Sequence, residues 1–173
     1  PTDLDRISVA QGPGSYTGLR VAVATAKTLA YTLNIELVGV SSLYALAAVA
    51  DFDGLVVPVI DARRNNVYAG FYKDGQSLKD DQHMNFADVL EAVKDEESVM
   101  FVGEVANFSN QIAESLPQAK VLSVLPSAYA IGKRGQELQP VDVDSFVPSY
   151  LKRVEAEENW LKTHIENPSA NYV

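Results

Sequence analysis

The sequence predicts an α/β protein built on a mixed sheet, and three observations predict it. Strand-like and helix-like segments alternate from the start, the run Leu55 to Ile60 (LVVPVI) is apolar throughout, and the polar segment Asp61 to Asn66 joins it to another strand-like run. The alternation is the rhythm of α/β chains. The apolar run suits a strand covered on both faces. The polar turn makes a hairpin, so parallel and antiparallel pairing share one sheet. With 173 residues, 47% of them hydrophobic, the chain is long enough to bury roughly 70% of its extended surface.

The elements follow in order. Arg6 to Ala10 (RISVA) reads as a short strand, closed by Gln11-Gly12-Pro13-Gly14. A helical pattern runs from Tyr16 or Thr17 to Leu33, and Glu36 to Val40 (ELVGV) is the next strand. Ser41-Ser42 offers an N-cap for a helix through Ala50. The hairpin of Leu55 to Ile60 with Val67 to Tyr72 comes next, and the charged stretch after Asp74-Gly75 is expected to be loop. Phe86, Val89, Leu90 and Val93 share one helical face. Val99 to Val102 is a strand, Asn107 to Leu116 a helix, and Val121 to Leu125 a strand. A last helix opens at Pro126, a favourable position for proline, and runs to about Leu138. Beyond Pro140 stand a short VDVDSFVPSY segment and a polar tail holding the single tryptophan, Trp160.

Composition bounds the chemistry. There are no cysteines, so thiol catalysis, zinc ribbons, iron–sulfur clusters and disulfides are excluded, and a reducing, cytoplasmic setting is the expectation. No apolar run reaches the ~18 residues of a membrane span. The net charge is −9, with nine acids against two bases in residues 74–104 and balance in residues 1–73. That field disfavours nonspecific nucleic-acid binding by the chain alone. The acidic stretch reads as a solvated face.

The loop Gly12-Pro13-Gly14-Ser15-Tyr16-Thr17-Gly18 sits between a strand and a helix. Its glycines permit close backbone approach, and the helix start offers free N–H groups, so Gly12, Gly14, Ser15, Thr17 and Gly18 form a candidate anion or nucleotide loop. The spacing is neither that of a Walker loop nor that of a dinucleotide fingerprint. From spacing alone, a tight strand-to-helix turn with Ser15 or Thr17 as cap is the favoured account. In the following helix Gly18, Ala22, Ala26 and Ala30 recur every fourth residue, beside Leu19, Val23 and Lys27. A helix apolar nearly all round is covered on more than one side, and small residues let a second helix approach closely. This row is therefore a candidate partner interface, unless the helix is internal to a three-layer fold.

Catalytic groups are sparse. His83 and His164 stand in polar segments and are expected to be exposed, so no metal site is assigned. Ser15 lacks the hydrolase elbow pattern. Asp61, with Arg63 nearby, is a candidate polar site able to hold magnesium or act as a base; a turn-forming aspartate at a strand end is the alternative. Asp142 and Asp144 alternate with valines and are expected to share one face of a strand. No catalytic residue is assigned.

Residues 11–47 (QGPGSYTGLRVAVATAKTLAYTLNIELVGVSSLYALA) closely resemble the bacterial TsaB (YeaZ) family, as do VIDARRNNVYAGFY (59–72) and PSYLKR (148–153). The tail AEENWLKTH (156–164) resembles the Gram-positive version. The resemblance implies the actin/hexokinase/Hsp70-type (ASKHA) fold of two α/β lobes. Residues 1–45 would then be the remainder of a first lobe, 46–150 the second lobe, and 151–173 a C-terminal tail. The chain opens at Pro1 and enters a strand almost at once, so it is read as lacking the leading strands of the first lobe. The resemblance further implies a non-catalytic subunit that pairs with TsaD and, with the ATPase TsaE, serves threonylcarbamoylation of adenosine beside the tRNA anticodon. Residues 17–33 match the helix that joins the TsaB–TsaD bundle. The metal-binding histidine pair of TsaD has no match. The chain itself would need no cofactor, ATP and magnesium entering at the complex; a homodimer is expected in isolation, and tRNA contact is indirect. The alternative is an ATP-dependent phosphotransferase of the same fold, using residues 12–18 and Asp61. A peptidase has no residues to support it.

Overall fold

The computed structural model describes residues 3–152. Strand β1 (Arg6–Gly12), helix α1 (Tyr16–Leu33) and strand β2 (Glu36–Ser41) form a parallel unit, with Arg6 opposite Glu36 and Ala10 opposite Val40. Helix α1 ends at Asn34, whose left-handed backbone (φ 53°) is tolerated by asparagine and lets its N–H reach Ala30 and Tyr31. Helix α2 (Ser42–Ala47) follows directly, capped by the Ser41 side chain.

The second sheet has five strands in the order β5-β4-β3-β6-β7: β3 (Leu55–Asp61), β4 (Asn66–Lys73), β5 (Gln76–Asn85), β6 (Val99–Gly103) and β7 (Lys120–Ser123). β3 pairs antiparallel with β4 and parallel with β6, so the sheet is mixed, as the sequence predicts. Helices α3 (Phe86–Ala92) and α4 (Ser109–Ser115) cover one face with Val89, Phe86, Phe108 and Ile112, which meet Val57, Val59 and Phe101 from the sheet. On the other face Leu43, Leu46 and Ala47 of α2 pack on Val56, Tyr72 and Val102. The uninterrupted apolar run of β3 is thus buried on both sides, which is why it needs no alternation.

Helix α5 (Ala128–Glu137) and the segment after it return to the first sheet. Val141 N–H bonds to Leu37 O at 2.9 Å, Phe146 joins the small core of Val9, Val23, Ala26, Ala30 and Leu37, and Ser149 N–H bonds to Gln11 O at 2.8 Å.

Three sequence expectations are corrected. Residues 76–85 are a strand, not loop: β5 is the sheet edge and its first five residues are all exposed, so it carries charge without cost. Asp142 and Asp144 do not share a strand face; Asp142 begins a turn, and its Oδ2 accepts from Ser145 N at 2.9 Å, a bond that lowers its pKa. His83 is half-buried on β5 beside the Tyr68 ring, 5.4 Å away between centroids. Trp160, His164 and the tail motif lie outside the described residues.

Candidate partner face and interlobe cleft

The glycine loop is a strand-to-helix turn locked by its surroundings. Gly12 has φ 124°, and a Cβ there would lie 2.6 Å from Ser149 O, so both conformation and room require glycine. The Ser15 hydroxyl accepts from Gly18 N at 3.4 Å and caps α1, while Leu19 N reaches Ser15 O at 2.9 Å. The Gln11 amide donates to Val147 O at 3.0 Å. Tyr16 stacks on Tyr150 at 5.1 Å, and Arg20 donates to the Tyr16 hydroxyl at 2.8 Å. Residues 147–150 therefore strap the start of α1.

Beside this loop, between the two sheets, lies a cleft of about 300 Å³ lined by Pro13, Leu19, Leu46, Ile60 and Leu125, with Glu104 at its edge. Glu104 is the one charged residue among its described lining residues. Gly14, Ser15, Gly18 and Ser42 also line it, but among the described residues no cation does, so a phosphate-bearing ligand would meet mostly apolar walls and the Glu104 carboxylate without a balancing charge. Asp61 is occupied as well. Its Oδ1 accepts from Arg63 N at 2.7 Å, its Oδ2 from Asn107 Nδ2 at 3.0 Å, and its own N–H donates to Glu104 Oε2 at 2.8 Å. These bonds build the turn in which Arg63, Arg64 and Asn65 are all left-handed (φ 66°, 53° and 58°). Asn66 Nδ2 stabilises it by donating to Arg63 O and Arg64 O. Asp61 and Arg63 thus act as turn formers, and the described residues contain no group of three or more metal-ligating side chains.

Helix α1 carries an exposed face, and here the structure corrects the sequence reading. Leu19, Val23, Ala26 and Ala30 are buried under the chain's own sheet, and Ala22 packs on the same core. Lys27 is half-buried and donates from Nζ to Asp144 O and Phe146 O, each at 2.9 Å. Of the predicted row only Gly18 is exposed. The small residues serve close approach between α1 and its own sheet. The opposite face carries Thr17, Val21, Ala24, Thr25, Thr28 and Thr32, all exposed and all uncharged. Val21 is 62% exposed, with Leu29 and Tyr31 flanking the stripe. The signal for this face was the second apolar set, Val21 and Leu29, at helical spacing from the threonines.

The family model described as "TsaD: tRNA N6-adenosine threonylcarbamoyltransferase" matches residues 1–160. The Bacillus subtilis (strain 168) protein named "tRNA threonylcarbamoyladenosine biosynthesis protein TsaB" is 40% identical over 174 residues, covering 94% of this chain and 76% of that protein. The chain belongs to the TsaB/YeaZ family. The Escherichia coli TsaB protein is 35% identical over 75 residues, 42% of this chain and 32% of its own length. YeaZ from Pseudomonas aeruginosa superposes with a TM-score of 0.68 at 26% identity, over 86% of this chain and 76% of that one. A second structure, "an uncharacterized protein with similarity to peptidase YEAZ" from the same organism, gives 0.68 at 25% identity over 87% of this chain and 75% of its own. The family's two-lobe α/β architecture accounts for the two sheets, with the apolar cleft at their junction and α1 on the outside of the smaller one.

Proposed function

We propose that this TsaB-family chain is a non-catalytic scaffold and activator subunit in the formation of tRNA N6-threonylcarbamoyladenosine. The relatives' names supply the process, tRNA threonylcarbamoyladenosine biosynthesis. The observation that carries the scaffold role is the outer stripe of α1 from Thr17 to Thr32, which is uncharged, with Arg20 at its edge turned to the Tyr16 hydroxyl. An exposed helix surface ordinarily carries charge, and one of small, hydroxyl and aliphatic side chains is suited to another helix. In this reading a TsaD-type catalytic subunit docks its own helix there, and a TsaE-type ATPase joins the pair. Catalysis, ATP and magnesium belong to those partners, tRNA is met through the assembly in the cytoplasm, and the same face supports a homodimer when TsaD is absent. A mainly apolar cleft whose one charged lining residue is Glu104, and an Asp61 engaged in its turn, fit a subunit that performs no phosphoryl chemistry.

Titration of the chain with a TsaD-type subunit tests the reading. Val21→Arg places a charge in the middle of the face and should weaken association by at least about tenfold, roughly 1.4 kcal/mol. Because Val21 is exposed, the fold should keep its stability to within about 0.5 kcal/mol. Ala26→Leu, on the buried side, should do the reverse and lower stability by overpacking. If Val21→Arg binds TsaD normally and leaves modified adenosine in tRNA unchanged, α1 is not the docking helix.

A further inference from the structure

Outside α1 and the cleft, one group of polar side chains bridges the two sheets. Along β4 and β5 Ala69 faces Gln82 but Phe71 faces Lys79, so Asp80 and Asp81 together stand opposite the single residue Gly70. This is a β-bulge, a device that re-aims a side chain. It turns Asp81 inward. Asp81 Oδ2 accepts from the Ser41 hydroxyl at 2.5 Å, and Oδ1 accepts from the Tyr72 hydroxyl at 3.1 Å. The space is specific: a Cβ on Gly70 would lie 2.6 Å from the Tyr72 ring and 3.0 Å from Asp81 Oδ1.

Ser41 has three tasks at once. It is the last residue of β2 in the small sheet, its Oγ accepts from Leu43 N at 3.0 Å and Tyr44 N at 3.2 Å to cap α2, and its hydrogen goes to Asp81 in the large sheet. Helix α2, whose start it fixes, is the element that packs on the inner face of the large sheet. We infer that Ser41, Asp81 and Tyr72 form a clasp that sets the angle between the two sheets, and with it the direction in which α1 presents its outer face. They are positioning residues. The inference holds whatever docks on α1, so it does not depend on the function proposed above.

The absence of cysteine in the chain makes the test clean. Spin labels on Lys133→Cys of α5 and Glu114→Cys of α4 report the distance across the sheets, and labels on Glu91→Cys and Glu114→Cys report one within the large-sheet unit. All four measurements of a series use the full chain, diluted with unlabelled protein so that only intramolecular distances count. Tyr72→Phe removes one hydroxyl and leaves packing and cap intact; Asp81→Ala removes both acceptors. The expected result is a cross-sheet distance that shifts or broadens by several ångström in both variants, while the Glu91–Glu114 distance keeps its unmodified value. Asp81→Asn, which can still accept from Ser41 and donate to Tyr72, should match the parent. An unchanged cross-sheet distance in Tyr72→Phe and Asp81→Ala overturns the clasp, and so does a loss of both distances together, which marks general unfolding instead of an angle change.

Discussion

The large sheet and the small one are held by different forces. The central strands β3, β4 and β6 are packed on both faces by apolar side chains: Phe86, Phe101, Val57, Val59 and Val89 are buried on one side, and Leu43, Leu46 and Val102 on the other. The small sheet has two strands and a core of six buried residues, Val9, Val23, Ala26, Ala30, Leu37 and Phe146. Long polar side chains compensate by gripping backbone carbonyls of distant segments. Arg6 donates to Gly135 O at 2.6 Å and Leu138 O at 3.1 Å and pairs with Glu36 at 2.5 Å; Lys27 holds Asp144 and Phe146; Gln11 holds Val147. Burial is nondirectional and tolerates local change, whereas a charge-assisted bond to a carbonyl is lost whole when its donor goes.

That difference predicts where each half breaks. Phe86→Ala empties a site wholly shielded from solvent, between Phe101 and Phe108 with ring centroids 5.9 and 4.3 Å away. It should cost about 3–5 kcal/mol, the range for large aromatic truncation in a core. Denaturant unfolding measures it, and a loss below about 2 kcal/mol would mean that the large sheet is less tightly packed than its burial implies. Arg6→Ala should cost less in total, about 2 kcal/mol, because it removes bonds from one charged donor to two carbonyls. Its effect should be local: hydrogen exchange should quicken in α5 and β1 and stay as it was in β3 and β6. Uniform acceleration would show that the two sheets unfold as one unit.

Those same forces decide what the sequence could reveal. The apolar run of β3, the small-residue row of α1 and the serine caps at Ser15 and Ser41 are side-chain signals, and each marks an element that forms; the last helix opens two residues after the expected Pro126, with Ser127 as its cap. β5 was hidden because an edge strand facing water keeps neither alternation nor an apolar face. The return segment 144–150 was hidden for another reason: its hydrogen bonds to β1 and α1 run through backbone groups, which every residue has. Gly18, Ala22, Ala26 and Ala30 advertised close helix approach correctly, but a periodic row does not say whether the approaching backbone belongs to this chain or to another. Lys27 shows the answer only once the chain is folded. Its ammonium on the flank of the small-residue row is held by carbonyls of the chain's own return segment.

The smallest expected effect concerns the junction of the two halves. Burial pushes the Asp81 carboxyl above its ordinary pKa, more than the bonds from Ser41 and Tyr72 lower it, with Asp80 adding repulsion; the Tyr72 hydroxyl is pushed up in turn by burial and by Asp81. A carboxyl whose pKa is higher in the folded state than in the unfolded one favours folding when protonated. Its contribution is present below the unfolded value and is lost as pH rises through the folded one. Asp81→Asn has no such titration. The variant should therefore gain stability relative to the parent on going from about pH 4 to about pH 7, across and above the ordinary carboxylate range. Urea melts at those two pH values give the difference directly. If the variant's stability relative to the parent is the same at both, or falls with rising pH, burial does not dominate at Asp81. If it rises as expected, ionisation of Asp81 weakens the contact between the two sheets, and the clasp is tighter with the carboxyl protonated than with it charged.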